Sequence, residues 1–344
     1  MKHSVTAIRF SNVVFGMLLV TGFVAHQAVR VVAADFQAVA GAQSADKGTQ
    51  VLAFLANELW VHVGDSITWT FPTSEIHTVT FLKQNTTPQQ ARSPRPGFPA
   101  GGGGCPGTTP NGSSFDGSTC LTSPELVDGG TYTVTFPTAG NFKLVCLVHS
   151  NMTGAVHVLP AFVTLPHDQA FYNLEADRER TELLAEGAYL EGLGVATAAR
   201  TYRNEVTAGI GAIVATSGGT HTMSVNRFLQ GTIVVRVGDT VEWTNLDPVT
   251  PHTVTFGTEP AILQPPSGDV TVVVDGARMT VLSSPGTRTH SGFLVAASQD
   301  SVPLPQTPLG VTHFRVTFTS PGTYTYICAL HDDLGMTGQV TVIP

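Results

Sequence analysis

The sequence predicts an all-β protein: two Greek-key β-sandwiches joined by a mainly helical connector. Three observations carry that expectation. Short Val/Thr/Phe/Tyr runs alternate with turn residues, and 35 Gly and 22 Pro in 344 residues supply the turns, a pattern of sandwiches and not of helical domains. With 42% hydrophobic and only 12% charged residues, the chain has apolar side chains for two cores, the number of domains its length suggests. It also repeats itself. Gly64-Asp65-Ser66-Ile67-Thr68-Trp69 matches Gly238-Asp239-Thr240-Val241-Glu242-Trp243, and Phe136 to Cys146 matches Phe318 to Cys328 at a constant offset of 182. Self-similarity of this kind marks an internal duplication, here of about 110 to 125 residues.

Residues 1–34 read as a secretory signal peptide cleaved near Ala34. Lys2, His3 and Arg9 flank an apolar core from Val13 to Ala25, and Val32-Ala33-Ala34 has the small side chains of a cleavage sequence. The alternative is a retained anchor, but thirteen apolar residues fall short of the ~20 a spanning helix needs. The mature chain is therefore expected in the periplasm or outside the cell, with no membrane span. Removing Lys2, Arg9 and Arg30 takes the formal charge from −8 to −11, with 14 basic against 25 acidic residues. That balance offers no basic face for nucleic acid.

The first sandwich is expected over 35–160. Residues 35–50 are small and polar and read as an entry segment. Alternation in Leu59-Trp60-Val61-His62-Val63 and Ile67-Thr68-Trp69-Thr70-Phe71 predicts half-buried strands with a Gly64-Asp65 turn, and His62 is a strand-face residue in that pattern. Lys83 to Gly130, with its Gly101-Gly102-Gly103-Gly104 tract, is a long loop. Thr131 to Phe136 and Asn141 to Cys146 are strands around a Pro137-Thr138-Ala139-Gly140 turn, and Thr153 to Val158, carrying a solvated His157, closes the sandwich.

The connector is expected over 161–215. Asp168 after Pro166 is an N-cap. Phe171, Leu174, Thr181, Leu184 and Ala188 approximate one helical face, giving a helix from about Asp168 to Glu186 that stops near Gly187. A second helix is expected between Val195 and Val206. The second sandwich, 216–344, opens at His221 and has strands at Thr232 to Val237 and Thr240 to Thr244. In its insertion, Gly257 to Val311, Val270 to Val274 and Met279 to Leu282 are expected to form a hairpin across Asp275-Gly276. His221, His290 and His313 read as solvated.

The chemistry lies in two short loops. Cys328-Ala329-Leu330-His331-Asp332-Asp333-Leu334-Gly335-Met336 puts a thiol, an imidazole and a thioether within nine residues, and Cys146-Leu147-Val148-His149-Ser150-Asn151-Met152 does so in seven. A trigonal His2Cys site with a long axial Met is what a type 1 copper ion takes. The second His in each repeat is expected from His77-Thr78-Val79-Thr80-Phe81 and His252-Thr253-Val254-Thr255-Phe256. Two metal sets result: His77, Cys146, His149 and Met152, and His252, Cys328, His331 and Met336. Four cysteines in an exported chain allow several pairings; with Cys146 and Cys328 committed to metal, Cys105 and Cys120 are left as a bridge worth on the order of 3 kcal/mol.

With these residues in view, both repeats resemble cupredoxins, the blue copper proteins of the plastocyanin, amicyanin and azurin kind. The Cys-x2-His-x4-Met loop of repeat 2 is similar to plastocyanin and pseudoazurin, and the Cys-x2-His-x2-Met loop of repeat 1 to amicyanin. The resemblance covers roughly 50–160 and 220–344 and implies single-electron transfer through two type 1 coppers, with a redox protein as partner. Thr78 and Thr253 stand where many blue copper proteins have Asn, and are expected to orient ligands. The apolar pairs Leu147-Val148 and Ala329-Leu330 beside the loop histidines suit docking of that partner.

The alternatives are a copper redox enzyme related to two-domain nitrite reductases or multicopper oxidases, and a copper storage or delivery protein. Those enzyme families place a His before the copper-binding Cys, and the oxidases add His-x-His pairs. Here Val145 and Ile327 precede the cysteines, and no two of the twelve histidines stand two apart. Six Met in the whole chain give storage little support, and structural zinc sites use no thioether.

Overall fold

Side chains that alternate between apolar and polar must put one face of a strand into the core and the other outside it. The structure, a computed structural model, describes residues 33–86, 105, 107–201, 204–263, 265–296 and 312–344. Nearly all of the expected signal peptide, the Gly101–Gly104 tract and residues 297–311 of the second insertion lie outside the described residues.

Repeat 1 consists of β1 (Asp35–Gln43), β2 (Thr49–Leu55), β3 (Glu58–His62), β4 (Ser66–Phe71), β5 (Thr80–Phe81), β6 (Leu121–Thr122), β7 (Gly130–Thr135), β8 (Gly140–Val145) and β9 (Thr153–Leu159). One sheet has the order β2-β1-β4-β7 and the other β3-β9-β8-β5-β6, with β1–β4 and β3–β9 parallel and the remaining pairs antiparallel. Ile67, Trp69 and Phe71 of β4 are buried and their neighbours are not, so the alternation read from the sequence is real. Trp69 packs 5.7 Å from Phe81 across the sandwich. The supposed entry segment is strand β1, whose inward positions Ala38, Ala40 and Ala42 are too small to have shown an apolar pattern.

The connector is a single helix, α1 (Gln169–Thr201). Asp168 caps it as expected, its Oδ1 accepting from the Phe171 N–H at 3.0 Å. The buried face differs from expectation. Phe171 and Leu174 are exposed, whereas Tyr172, Leu183 and Gly187 are buried, with Ala176 and Leu190 half-buried beside them. These positions recur at spacings of three and four, so the true stripe starts one residue later than the one read from Phe171. Gly187 does not end the helix. A β-carbon there would run into the Thr49 side chain and lie 3.2 Å from Met223 Sδ, so this glycine lets the helix lie close on the sheet, and the expected break and second helix are replaced by a continuous one.

Repeat 2 consists of β10 (Glu205–Ala215), β11 (Thr220–Leu229), β12 (Thr232–Arg236), β13 (Thr240–Leu246), β14 (Thr255–Phe256), β15 (Thr271–Val272), β16 (Arg278–Leu282), β17 (Thr289–His290), β18 (His313–Phe318), β19 (Gly322–Ile327) and β20 (Thr337–Ile343). The sheets are β11-β10-β13-β18-β16-β15 and β12-β20-β19-β14-β17. β15 and β16 form the expected hairpin, with Gly276 at φ +87° in its turn. Trp243, fully buried, repeats the place of Trp69 and packs 5.1 Å from Tyr326. Two histidines expected in solvent are buried instead: His221 on β11, and His290 on β17, whose Nδ1 lies 2.7 Å from Thr255 Oγ1.

The two repeats meet edge to edge. β2 and β11 occupy the same place in their repeats, since Phe54 opposes Ala40 of β1 and Phe228 opposes Ala208 of β10. They pair antiparallel, with Gln50 opposite Ser224. On that register Gln50 and Ser224 are equivalent residues, so the contact is self-complementary, like an isologous dimer interface within one chain. Helix α1 lies over this joint and packs Leu183 and Leu190 on Val51, Ala53, Met223 and Val225.

Candidate metal centres

Both ligand loops run from the end of one strand to the start of the next, which fixes where their side chains begin. In repeat 1 the Cys146 N–H donates to the Met152 carbonyl at 3.0 Å, and in repeat 2 the Cys328 N–H donates to the Met336 carbonyl at the same distance. Loops of different length therefore close on the same pair of residue types. Each needs one left-handed residue to turn: Asn151 at φ +61° in the short loop and Gly335 at φ +89° in the long one. Met152 and Met336 are fully buried, and Cys146 and Cys328 are buried free thiols.

The upstream histidines reach the same places. His77, Cys146 and His149 form one group and His252, Cys328 and His331 another, the donor atoms of each lying within 4.8 Å of one another. In the second group Cys328 Sγ is 3.3 Å from His331 Nδ1 and 3.8 Å from His252 Nδ1, and the two Nδ1 atoms are 3.2 Å apart. In the first, Cys146 Sγ is 3.8 Å from His149 Nδ1, and the two imidazoles stand 5.0 Å apart by ring centroid, as they do in the second. Donors bonded to one ion at about 2.0–2.3 Å stand ~3.3–4 Å from each other, so these spacings fit a single metal ion.

The electrostatics agree. Burial pushes the Cys146 thiol up and that of Cys328 to about 11, while burial and the facing His331 hold His252 well below the ordinary imidazole value. A neutral imidazole at His252 and thiols that ionise only beside a cation suit a soft-metal site before it fills. Each sulfur already accepts a backbone hydrogen bond, from Thr78 N–H at 3.4 Å and Thr253 N–H at 3.3 Å. The Thr78 hydroxyl accepts from the Leu147 N–H at 2.9 Å and the Thr253 hydroxyl from the Ala329 N–H at 2.7 Å. Both threonines thus tie the upstream histidine strand to the cysteine loop, the orienting part expected of them.

Three residues that the sequence did not single out complete the sites. Gly41, at φ +86°, and Gly209, at φ +83°, sit at the bulges of β1 and β10 against the rings of His77 and His252. A β-carbon at Gly41 would stand 2.5 Å from His77 Nε2. Glu75, two residues before His77 and buried, has its carboxylate 3.3 Å from His149 Nε2 and 3.8 Å from His331 Nε2. The loop histidines consequently do not present their edges to solvent. Of the apolar pairs beside them, Leu147 and Ala329 are buried and Val148 and Leu330 half-buried, with Leu147 packed on Leu82, Val145, Cys105 and Cys120 of its own repeat. Comparing the repeats could have revealed Glu75 as an asymmetry, because the residue two before His252 is Thr250.

Residues 214–343 match the family of copper binding proteins described as plastocyanin/azurin. Among solved structures the chain is similar to a mutant plastocyanin of a fern, at 25% identity over 40% of this chain and 99% of that one, with a TM-score of 0.21. It is also similar to the reduced auracyanin of the photosynthetic bacterium Roseiflexus castenholzii, at 18% identity over 37% and 97%, with a TM-score of 0.26. A multicopper oxidase, mgLAC, aligns over 91% of this chain and 88% of its own at 14% identity, with a TM-score of 0.23. The family match supports cupredoxin-type copper binding for residues 214–343, and each repeat brings together a candidate His/Cys/His group.

Proposed function

We propose that this chain, whose residues 214–343 match the plastocyanin/azurin copper-binding family, is an exported carrier of single electrons with one type 1 copper site in each repeat. His77, Cys146, His149 and Met152 would hold one ion, and His252, Cys328, His331 and Met336 the other. In this reading residues 35–160 and 216–344 are the two copper domains and 161–215 the connector, with β10 completing the second domain's sheet. The observation that carries it is the repeated convergence of one cysteine sulfur and two imidazoles beside a buried methionine whose carbonyl holds the cysteine N–H.

Copper bound in such a set supplies a one-electron couple whose potential follows the axial ligand and the hydrogen bonding at sulfur. The protein's part is to keep its ligands still. Backbone N–H groups hold both sulfurs, threonine hydroxyls hold the chain after each cysteine, and glycines leave room for the ring of each upstream histidine. Ligands that cannot move make the cost of changing oxidation state small.

Carrier is favoured over enzyme because Val145 and Ile327 stand where the nitrite reductases and oxidases place a histidine, and because no His-x-His pair occurs. The test is reductive titration of the purified mature protein followed by steady-state assay with nitrite and with oxygen. Uptake of two electrons per chain without turnover supports the carrier; turnover that tracks copper content overturns it in favour of the enzyme.

A further inference from the structure

We propose that Glu75 joins the two copper sites into one two-electron unit by holding the outer edges of both loop histidines on a single carboxylate. The proposal rests on the reading of the two sites above and goes beyond it in assigning a route between them.

Each loop histidine turns Nδ1 toward its own cysteine sulfur, at 3.8 Å for His149 and 3.3 Å for His331. The other nitrogen of each ring is therefore the one that meets Glu75. His149 Nε2 is 3.3 Å from Oε1, within hydrogen-bond reach. His331 Nε2 is 3.8 Å from Oε2, ion-pair range and a little beyond a direct hydrogen bond. The Ile76 N–H also donates to Oε1 at 3.3 Å. One carboxylate thus spans two rings from different repeats, one oxygen to each.

The placement has a cause in the fold. Pairing of β2 with β11 about Gln50 and Ser224 sets the two repeats edge to edge, and both loop histidines meet Glu75 there. Thr222 of β11 reaches the Asn151 carbonyl of the first loop at 3.5 Å, and the Arg227 guanidinium donates to the Leu334 carbonyl of the second loop at 2.8 Å and to the Asp46 carbonyl at 2.6 Å. The first loop is therefore touched by repeat 2, Arg227 ties the second loop of its own repeat to Asp46 of repeat 1, and Glu75 lies between the two loop histidines. A carboxylate buried at such a joint is costly unless donors or cations face it. Nε2–H groups on rings whose Nδ1 atoms would hold copper would provide both.

Glu75 acts as a positioning residue in two ways. Accepting from the His149 Nε2–H would fix the tautomer whose Nδ1 lone pair can bind metal, as carboxylates do behind metal-bound histidines, and the 3.8 Å ion-pair contact would favour the same orientation of the His331 ring. Glu75 also gives an electron a path from one ring to the other made of bonds and close polar contacts, along which tunnelling is attenuated less than through open space. In the exchange one electron would leave the reduced site and arrive at the oxidised one, with Nε2–H kept on each ring, so that no proton moves and no outside oxidant or reductant is consumed.

The test uses the full mature chain and Glu75→Gln and Glu75→Ala variants. Copper count and thiolate absorption come first, since their absence in the wild type would overturn the two-site reading and leave the position of Glu75 to be decided separately. With copper bound, rapid one-electron reduction followed by re-equilibration between sites should be slower by roughly 10–100-fold in both variants. Equal exchange rates in the wild type and both variants overturn the route. In the metal-free chain, nitrogen NMR should show His149 and His331 both as Nε2–H tautomers, and Glu75→Ala should move both sets of ring resonances. A shift of His149 alone overturns the bridge, whatever the copper content.

Discussion

Gly209 lies flat against the imidazole of His252, and Gly41 lies in the same way against His77. Both glycines have left-handed backbone, φ +83° and φ +86°, so a side chain there is opposed by its own torsion as well as by the ring. Gly41→Ala and Gly209→Ala should each cost about 1–3 kcal/mol from backbone strain alone and push the upstream histidine off its site. Urea denaturation and copper analysis check this. A variant with wild-type stability and two bound coppers would show that the ring position is set by something else.

Thr78→Val and Thr253→Val should remove the acceptor for a buried loop N–H while keeping side-chain volume. Leaving that donor unsatisfied costs about 1–3 kcal/mol, and the freed loop should broaden the copper signal of its own repeat only. Stability of the metal-free variants and the spectrum of the loaded ones are the measurements. Loss confined to the wrong repeat would break the assignment.

The two sites should differ in potential. The second loop places exposed Asp332 and Asp333 beside His331, whereas the first has neutral Ser150 and Asn151. Partial burial, with Asp332 and Glu75 nearby, pushes the Asp333 carboxyl up, yet at neutral pH the added negative charge favours the oxidised ion. The second midpoint should therefore lie lower, and Asp333→Asn should raise it. Salt should shrink the difference, because these carboxylates are open to screening. Redox titration of the single-site variants at two salt concentrations decides it, and coincident midpoints would refute it.

Burial holds His221 down at about 4, against an ordinary value near 6.5. Between those values the unfolded chain binds a proton there and the folded chain does not. Stability present above pH 6.5 is then lost as the pH falls toward 4, by up to about tenfold in the folding constant per pH unit. His221→Gln in the metal-free protein should lose less stability across that window than the wild type. His252, also depressed, titrates in both proteins and cancels in the comparison. Parallel stability curves would contradict the assignment.

The two His/Cys/His groups that the fold brings together were legible because a single ion would dictate the spacing of its ligands. Cys-x2-His with a following Met has few other uses, and the duplication supplied the same motif twice. The strands were legible wherever large residues alternate, as at Ile67, Trp69 and Phe71, and not in β1, where alanines face inward. The helix was found but its face was misplaced by one residue, because exposed Phe171 and Leu174 outweigh Ala176 and Gly187 in any apolar count. The burial of His221 and His290 was beyond reach for another reason. Their surroundings come from strand pairing and loop packing between segments far apart in sequence, and in a local reading each is an ordinary polar residue.

The most direct test of the account is the copper content of the mature protein with its visible and EPR spectra, taken beside Cys146→Ser and Cys328→Ser. The account predicts two coppers per chain, intense thiolate-to-copper absorption with the narrow hyperfine splitting of type 1 sites, and loss of about half the colour and one copper in each variant. Fewer than two coppers, no thiolate band, or a spectrum unchanged by either substitution would contradict it.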